Sequence, residues 1–448
     1  MASAEVSPEA VAGTLADAAR AAGADGFDVL VVGSNTTAIG VRGGELEDIE
    51  SSGGLDVGLR VLMGKRQAVV SGSDVSSQAL ADLAERAVAM AQTAPEDPYA
   101  GLAEPSRLAD TQPDLELADP TTLDPETLKS RALELERAAL SVEGVAQAEG
   151  ASASQTRSRF HLLTSHGFSG GWESTRHSLG VSAFASQDGQ MERDYEHQGR
   201  RFLGELPEPE AIGKTAGERA VRRLGAKQMA SASLPIIFES RVASSLLGAF
   251  LSAIAGTGVA RGTSFLKDRM DSRVFAPGIT IHDDPTLLRG LGSRPFDAEG
   301  VRSEPLRLVE NGVLKEWLLN SAAARQLGLT TTGRAHRSVG SPPGVSPTNA
   351  WITPGTRTPE EMLAATQQGL LVAEMFGPSL NANTGDYSVG VAGFAIDGGE
   401  VAHPVSEVTI AGNLLDMFDT LEAADDLVFD GAVVSPTLRV AEMTVAGG

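Results

Sequence analysis

The sequence contains no cysteine among its 448 residues. This absence excludes disulfide bonds, thiolate nucleophiles and every zinc or iron–sulfur site that depends on cysteine ligands. Aromatic residues make up only 4% of the chain, whereas 50 residues are glycine. Aliphatic and small side chains must therefore fill the core, and turns must be frequent.

Basic residues are also scarce. The chain has 36 Lys and Arg against 59 Asp and Glu, which gives a formal net charge of −23. Nucleic acids and anionic membrane surfaces bind clustered positive charge, so this balance argues against both as partners. No apolar run reaches the roughly 18 residues that a membrane-spanning helix needs. The first residues lack the basic stretch and apolar block of a secretory signal, which favours a cytoplasmic protein.

The hydrophobic pattern predicts an α+β fold. Apolar residues recur with helical spacing over 8–22, 76–91, 126–140 and 211–224. Strand-like segments lie between these helices, at 27–32, 35–42, 54–63, 144–151, 157–163, 170–187 and 191–201. Because the strands do not alternate one by one with helices, we expect mainly antiparallel pairing. No internal sequence repeat is evident.

Composition changes divide the chain. Six prolines mixed with acidic residues over 93–125 predict an extended connection. We therefore predict an N-terminal α+β domain over residues 1–110, a central α+β domain over 111–230 and a β-rich C-terminal domain over 231–448.

The predicted C-terminal domain is dense in glycine and short β-like runs. Asn311-Gly312 and Gly398-Gly399 are strong signals for two-residue hairpins. Two segments, 241–255 and 358–371, have the pattern of helices.

Histidines are the natural metal ligands in a chain without cysteine. The seven histidines are His161, His166, His177, His197, His282, His336 and His403. None is followed by Glu, so a His-Glu zinc motif is absent. His161 and His166 lie five apart in a strand-like segment and should point to opposite faces. The cluster of His282, Asp283 and Asp284 is followed by Pro285, which favours a solvated turn over a metal site.

Two short motifs are typical of serine nucleophiles. Residues 167–171 match the Gly-x-Ser-x-Gly elbow around Ser169, but the next residues alternate like a strand, so a hairpin turn explains the motif better. Ser264 and Lys267 match Ser-x-x-Lys, but the companion motifs of that chemistry are absent.

A nucleotide-binding loop is not indicated either. Gly-Lys-Thr at 213–215 forms only the tail of a phosphate-binding loop, because Glu208 occupies the position of its first glycine. Residue chemistry alone therefore shows no convincing catalytic constellation.

Several blocks of the second half are distinctive in content and order. They are residues 259–268, 289–297, 324–328, 383–388, 404–413 and 436–440. These blocks resemble the TldD/PmbA family, also called the modulators of DNA gyrase. Residues 54–65 and 218–225 fit as well, so the resemblance covers essentially the whole chain.

This resemblance implies one of two kinds of chain. TldD-like chains carry His-Glu-x-x-x-His on a helix and, with help from a cysteine nearer the C-terminus, bind a zinc ion that activates water. Chains of the PmbA (TldE) branch lack these ligands and form the partner subunit of a heterodimer. The complex is expected to act on small or unfolded peptides.

The positions of the zinc motif decide between the two branches. The first His of the motif falls on Leu247, its Glu on Gly248 and its second His on Ser252. Leucine cannot bind zinc, glycine cannot act as a base and serine is a poor ligand. The chain therefore resembles the PmbA branch. We expect no catalytic residue and no zinc in this chain, and zinc in the partner subunit.

The motif helix also has a simple structural interpretation. Val242, Leu246, Phe250 and Ile254 form an apolar stripe that predicts a buried or interface helix. The small residues around Gly248 would allow another helix to approach closely.

The leading hypothesis is a non-catalytic subunit that forms one wall of a peptide chamber with a TldD-like catalytic subunit. Unfolded peptides would add to exposed strand edges through backbone hydrogen bonds. Neither nucleic acid nor membrane is expected as a partner, and a homodimer in isolation stays open. Two alternatives remain: an autonomous, homodimeric peptidase with an unrecognised site, and a binding or escort protein for a gyrase-linked toxin–antitoxin system.

Overall fold

The computed structural model describes residues 7–447. Its α-helices are α1 (Pro8–Ala21), α2 (Ser77–Thr93), α3 (Pro125–Leu140), α4 (Pro209–Arg222), α5 (Ser240–Ala253), α6 (Gly256–Ala260), α7 (Ser321–Leu327), α8 (Pro359–Ala364) and α9 (Leu414–Asp419). The strands of the first half are β1 (Gly26–Arg42), β2 (Glu45–Met63), β3 (Arg66–Gly72), β4 (Val145–Thr164), β5 (Ser169–Gln187) and β6 (Gln190–Arg200). Those of the second half are β7 (Ala232–Phe238), β8 (Ile281–Asp283), β9 (Leu306–Glu310), β10 (Val313–Leu314), β11 (Ala335–His336), β12 (Gly344–Val345), β13 (Ala350–Ile352), β14 (Gln368–Leu380), β15 (Asp386–Asp397), β16 (Glu400–Asn413), β17 (Glu422–Ala423), β18 (Val433–Val434) and β19 (Leu438–Ala446).

The first half folds into two αβββα units that share one sheet. The strand order is β3-β2-β1-β4-β5-β6, and every neighbouring pair is antiparallel. The units α1-β1-β2-β3-α2 and α3-β4-β5-β6-α4 join where β1 pairs with β4. The structure thus contains a repeat that the sequence does not reveal. The sheet continues across residue 110, and the division into three domains stays a prediction.

Both helix pairs cover the same face of this sheet. Phe27, Val29 and Val31 of β1 pack against α1 and α2, whereas Ile39 of the same strand packs against α3 and α4. Odd-numbered residues of one strand share a face, so the two helix pairs lie side by side along the strands. The 17 residues of β1 span roughly 55 Å, which is long enough for both pairs.

Three predicted boundaries are wrong. Strands expected at 27–32 and 35–42 form the single strand β1, and those at 144–151 and 157–163 form β4. Small polar residues interrupt the apolar alternation there, but the backbone ladder continues through them. The helix expected over 358–371 ends as α8 at Ala364, because Leu370 and neighbouring residues pair with β7 instead.

The main helices and both hairpin signals are confirmed. α1 to α5 begin and end within three residues of the predicted bounds. Asn311 and Gly312 have φ values of 47° and 81° between β9 and β10, as a two-residue hairpin requires. Gly398 and Gly399 have φ values of 61° and 82° between β15 and β16.

The second half is β-rich and built around a closed barrel. Strands β16, β15, β14, β7 and β19 pair in that order, and β16 also pairs with β19. A second sheet has the order β10-β9-β8-β13-β18. Apolar residues of the barrel, the second sheet and α5 share one core, in which Phe250 of α5 meets Phe275 and Phe418 edge-on. The α+β class with a β-rich C-terminal region is confirmed.

The second half docks on the face of the first sheet that the helices leave free. Asp28 of β1 is bonded to both Arg60 of β2 and Arg337. Phe296 packs edge-on against Trp172 of β5, with 5.0 Å between ring centroids. Among residues 7–447, no helix has both the length and the apolar character to cross a bilayer.

Candidate functional site

Helix α5 carries Leu247, Gly248 and Ser252, the positions onto which the sequence resemblance places the zinc motif. Leu247 is buried in the core, Gly248 is half-buried and Ser252 is exposed. At 100° per residue, Gly248 and Ser252 share a helix face with Arg241 and Ser244, whereas Leu247 turns away from it. These residues do not fit a zinc ion, because a leucine directed into the core and a glycine offer no ligand atoms.

The face of α5 around Gly248 is open. A methyl group built on Gly248 meets no atom of the described chain within 4 Å. Close approach of a second helix, which the small residues predict, therefore does not occur within residues 7–447. The buried stripe is confirmed for Leu246, Phe250 and Ile254.

A cleft of about 330 Å³ lies at the N-terminal end of this helix face. Its residues come from four separate segments: Tyr195, Glu196, His197 and Gln198 of β6; Arg219 of α4; Ser240, Arg241 and Ser244 of α5; and Val428, Asp430, Val433, Val434 and Ser435 near β18. Since Arg241 and Ser244 share a face with Gly248 and Ser252, this wall of the cleft leads toward the motif positions.

Ion pairs hold the walls of the cleft in place. Arg241 donates two hydrogen bonds to the buried carboxylate of Asp194, at 2.7 and 2.9 Å, and so fixes α5 to β6. Arg219 pairs with Glu196 and fixes α4 to the same strand. Bidentate guanidinium–carboxylate pairs have a defined orientation, so these contacts position the helices as well as neutralise charge.

The electrostatics of the cleft follow from these pairs. Burial alone would raise the pKa of Asp194, but the hydrogen bonds and positive charge of Arg241 outweigh it and lower that pKa. Partial burial lowers the pKa of His197, and the positive charge of Arg176 lowers it further. His197 is therefore neutral at pH 7 and can donate or accept a hydrogen bond.

Two sheet edges border the cleft. β6 is the last strand of the first sheet, and β18 is the last strand of the second sheet. The residues that line the cleft include 195–198 of β6 and both residues of β18. Strand edges present backbone donors and acceptors, which an extended peptide can pair with. On β6 the carbonyl oxygens of Arg193 and Tyr195 already accept hydrogen bonds from Arg223 and Arg219, so a peptide would pair with the remaining groups.

The histidines His161 and His166, which the sequence places on opposite faces, each have hydrogen-bond partners of their own. His161 is hydrogen-bonded to Ser169 at 3.1 Å, whereas His166 is hydrogen-bonded to Thr164 and to the carbonyl of Ala103, both at 2.8 Å. Within residues 7–447, no cluster of three or more His, Asp or Glu side chains has a metal-binding arrangement.

The predicted solvated turn at 282–284 is wrong for Asp283. This residue is fully buried at the end of β8, where it accepts hydrogen bonds from Arg334 and from the backbone and hydroxyl of Thr348. His282 stacks on Trp351 with 4.9 Å between ring centroids. His282 and Asp283 therefore have structural roles, because each already has partners within the fold.

The serine motifs are also explained by local structure. Ser169 begins β5 directly after a turn and no helix follows, so the hairpin interpretation is confirmed. Ser264 is buried and donates to the carbonyl of Ala253 at 2.6 Å, whereas Lys267 reaches the carbonyl of Gly262. The Ser264 hydroxyl is thus buried and engaged in a structural hydrogen bond.

Sequence reasoning missed the residues of the cleft. Tyr195, His197, Arg219 and Arg241 lie in three elements, and no short motif connects them. One local signal for the cleft is Arg241, which directly precedes the predicted apolar stripe of α5. A charged residue at the buried start of a helix needs a partner.

Two αβββα units joined to a closed barrel that carries α5 define a known class of proteins, the PmbA/TldD metallopeptidase family, and the chain belongs to it. Three consecutive segments match its domains: PmbA/TldA metallopeptidase domain 1 over residues 27–91, the central domain over 118–224 and the C-terminal domain over 231–447.

Relatives cover nearly the full length. The chain is 36% identical to "Metalloprotease PmbA" of Escherichia coli O157:H7, over 94% of this chain and 92% of that protein. It is 32% identical to the "Metalloprotease PmbA homolog" of Haemophilus influenzae, with the same coverage of both chains.

Solved structures have the same fold. A modulator of DNA gyrase from Bacteroides thetaiotaomicron superimposes with a TM-score of 0.91 at 24% identity, covering 99% of this chain and 100% of that one. TldE from Thermococcus kodakarensis superimposes with a TM-score of 0.86 at 21% identity, covering 98% and 100%.

Proposed function

We propose that this chain is the non-catalytic subunit of a zinc peptidase of the TldD–TldE type and that its cleft holds an extended stretch of unfolded peptide. Its partner is a TldD-like catalytic subunit, which supplies the zinc ion. The observation that carries the proposal is the chemistry of α5: Leu247, Gly248 and Ser252 offer no ligand set and no general base.

The open face of α5 supports a role in assembly. Gly248 and Ser252 form a strip of small side chains on α5 that no other part of residues 7–447 covers. A partner can approach such a strip closely, because small side chains leave the helix backbone accessible. The cleft at the start of this strip would then open toward the chamber shared by the two subunits.

The strand edges support the peptide part of the proposal. A peptide that adds to β6 or β18 is held mainly by backbone hydrogen bonds, which tolerate varied side chains. This suits small or unfolded substrates. The absence of cysteine is consistent with a cytoplasmic location, where such peptides arise.

The test begins with zinc. Elemental analysis of the untagged chain, purified without a partner, is expected to give close to zero zinc per chain. Peptide cleavage should appear only when a TldD-like chain is added, and it should stop when the histidines of that chain's zinc motif are replaced. About one tightly held zinc per chain, or chelator-sensitive cleavage by this chain alone, would instead establish an autonomous peptidase.

Binding without proteolysis is the other alternative. Unchanged substrate levels in cells whose TldD-like zinc helix is disabled would favour an escort role and contradict the proposal. A TldD-like chain with a substitution outside its zinc helix serves as the control.

A further inference from the structure

A second pocket adjoins the cleft and differs from it in character. It has a volume of about 350 Å³, at the small end of the range for ligand sites. Its walls are mostly apolar and come from Leu287, Leu288, Leu291 and Phe429. Leu288 is 64% exposed and Phe429 is 52% exposed, so these side chains are available to a ligand.

The pocket also has an excess of positive charge. Arg200, Arg201 and Arg289 line it, against the single carboxylate of Glu205. Arg289 is neutralised by Glu205 and Glu116, with which it forms ion pairs. Arg200 and Arg201 pair with no carboxylate among residues 7–447, which is notable in a chain with a net charge of −23.

The two arginines without ion pairs differ in burial and in hydrogen bonding. Arg201 is largely buried and donates to the carbonyls of Thr175, Gly290 and Leu291. Burial and the nearby charge of Arg176 lower the pKa of Arg201 to about 10, so it remains charged at pH 7. Arg200 is half-buried, and only its Nη1 donates, to the carbonyls of Gly199 and Asp430 at 2.9 and 3.5 Å. Its Nε and Nη2 have no partner within the described chain.

The pocket and the cleft are neighbours in the chain as well as in space. Residues 195–198 line the cleft, and Arg200 and Arg201 line the pocket. Residues 428–431 separate the two, with Val428 and Asp430 on the cleft side and Phe429 on the pocket side. A peptide that lies along the cleft and continues past residues 428–431 can therefore end in the pocket.

We infer that the pocket binds the C-terminal residue of a peptide, with an apolar side chain against Leu288 and Phe429 and the α-carboxylate on Arg200. The inference rests on the proposed peptide-binding function. It adds that the peptide binds with its C-terminus in the pocket. A free carboxylate on the same residue as an apolar side chain matches both features of the pocket, whereas an apolar residue within a chain has no charge to place beside Arg200. Arg201 supports the site by its positive charge.

The experiment compares two probes that differ in one group. A fluorescein-labelled pentapeptide ending in leucine is prepared as the free acid and as the carboxamide. Each is titrated with the full chain and followed by fluorescence polarisation. The wild type is expected to bind the acid at least about tenfold more tightly, because hydrogen bonds to a charged group contribute strongly. Arg200→Gln should remove this preference, because the affinity for the acid falls to about that for the amide.

A control variant and a second substitution sharpen the test. Arg86 of α2 is exposed and has no ion pair within the described chain, so Arg86→Gln should keep the full preference for the acid. Leu288→Ser should weaken binding of the leucine peptide more than that of a peptide ending in serine.

The outcomes separate this inference from the proposed function. Equal binding of acid and amide by the wild type overturns the inference and leaves peptide binding intact. If the wild type binds neither probe, the peptide part of the proposed function is contradicted as well. An unchanged preference in Arg200→Gln also overturns the inference, since another group would then hold the carboxylate.

Discussion

At the scale of single residues, the chain buries several charges and gives nearly all of them partners. Asp283 and Arg334 are both fully buried, and Arg334 also donates to the carbonyls of Glu304 and Thr332, at 2.7 and 2.8 Å. Burying an ion is costly unless its partner and further hydrogen bonds satisfy it. Removing one member of such a pair therefore leaves the other charge buried and unpaired, which should lower the free energy of unfolding.

Replacing Arg334 tests this cost. Arg334→Met leaves Asp283 buried without its positively charged partner, so the free energy of unfolding should fall by about 3–5 kcal/mol. Arg307→Met removes the exposed pair between Arg307 and Glu310, and should cost less than about 1 kcal/mol. Urea denaturation measures both. Similar losses in the two variants would contradict the argument.

Asp297 predicts how stability depends on pH. Burial raises the pKa of this carboxyl to about 7, the negative charge of Glu299 adds to the effect, and Arg294 opposes it. A raised folded-state pKa means that the folded form holds the proton more tightly. This contribution to stability is complete below the unfolded pKa near 4 and is lost as pH rises through about 7.

The contribution of Asp297 to the unfolding free energy should therefore fall between pH 5 and 7, with a slope of up to about 1.4 kcal/mol per pH unit. Histidines with lowered pKa values, such as His197, contribute with the opposite sign, so the slope is read from the difference between the wild type and the variant. Asp297→Asn should flatten this slope, whatever its effect on absolute stability. Asp28 and Asp194 have lowered pKa values, so their contributions are lost only under more acidic conditions. A slope that survives in Asp297→Asn would assign the titration to another group.

At the scale of elements, two helices show how the same residue type serves opposite purposes. Gly248 of α5 lies on an open face. Gly213 of α4 lies against α3, where an added methyl group would overlap the carbonyl oxygen of Leu135 and come within 2.7 Å of the Ala138 side chain. The first glycine leaves a surface accessible, and the second allows two helices to pack closely.

Alanine substitutions should therefore act with opposite sign. Gly248→Ala should raise the free energy of unfolding of the isolated chain by about 0.5–1 kcal/mol, because alanine favours the helix and meets no neighbour. Gly213→Ala should lower it by about 1–3 kcal/mol through overpacking. Chemical denaturation of both variants provides the comparison. A destabilised Gly248→Ala chain would show that something covers this face of α5.

At the scale of the whole molecule, the two halves meet across a glycine on β2. A methyl group on Gly58 would overlap the carbonyl oxygen of Val339, whereas one on Gly54 of the same strand meets no atom within 4 Å. The close approach at Gly58 lets Arg337, two residues before Val339, reach Asp28 of β1.

Gly58→Ala should therefore loosen the docking of the two halves. We expect the free energy of unfolding to fall by about 1–3 kcal/mol and cleavage by a protease to become faster near residue 339. Gly54→Ala is the matched control and should leave both measurements nearly unchanged. Equal effects of the two variants would show that strand propensity, rather than docking, is responsible.

Local patterns predicted the elements that local forces determine. The helices α1 to α5 follow from apolar residues three and four apart, and the hairpin at Asn311 from a residue pair that tolerates positive φ. The helix expected over 358–371 was wrong because a distant strand, β7, pairs with Leu370. The cleft could not be predicted, because residues such as His197 and Val434 meet only after segments more than 200 positions apart have folded together.

The sequence by itself determined the chemical limits of this protein. It has no thiol, a strongly negative charge, family-specific blocks, and Leu247, Gly248 and Ser252 at the positions predicted for the zinc motif. Only the tertiary structure decided that the two αβββα units share a sheet, that Asp283 is buried, and that Arg200 faces an apolar pocket beside the cleft. Residue identities set what each side chain can do, whereas contacts between distant segments set which side chains can act together.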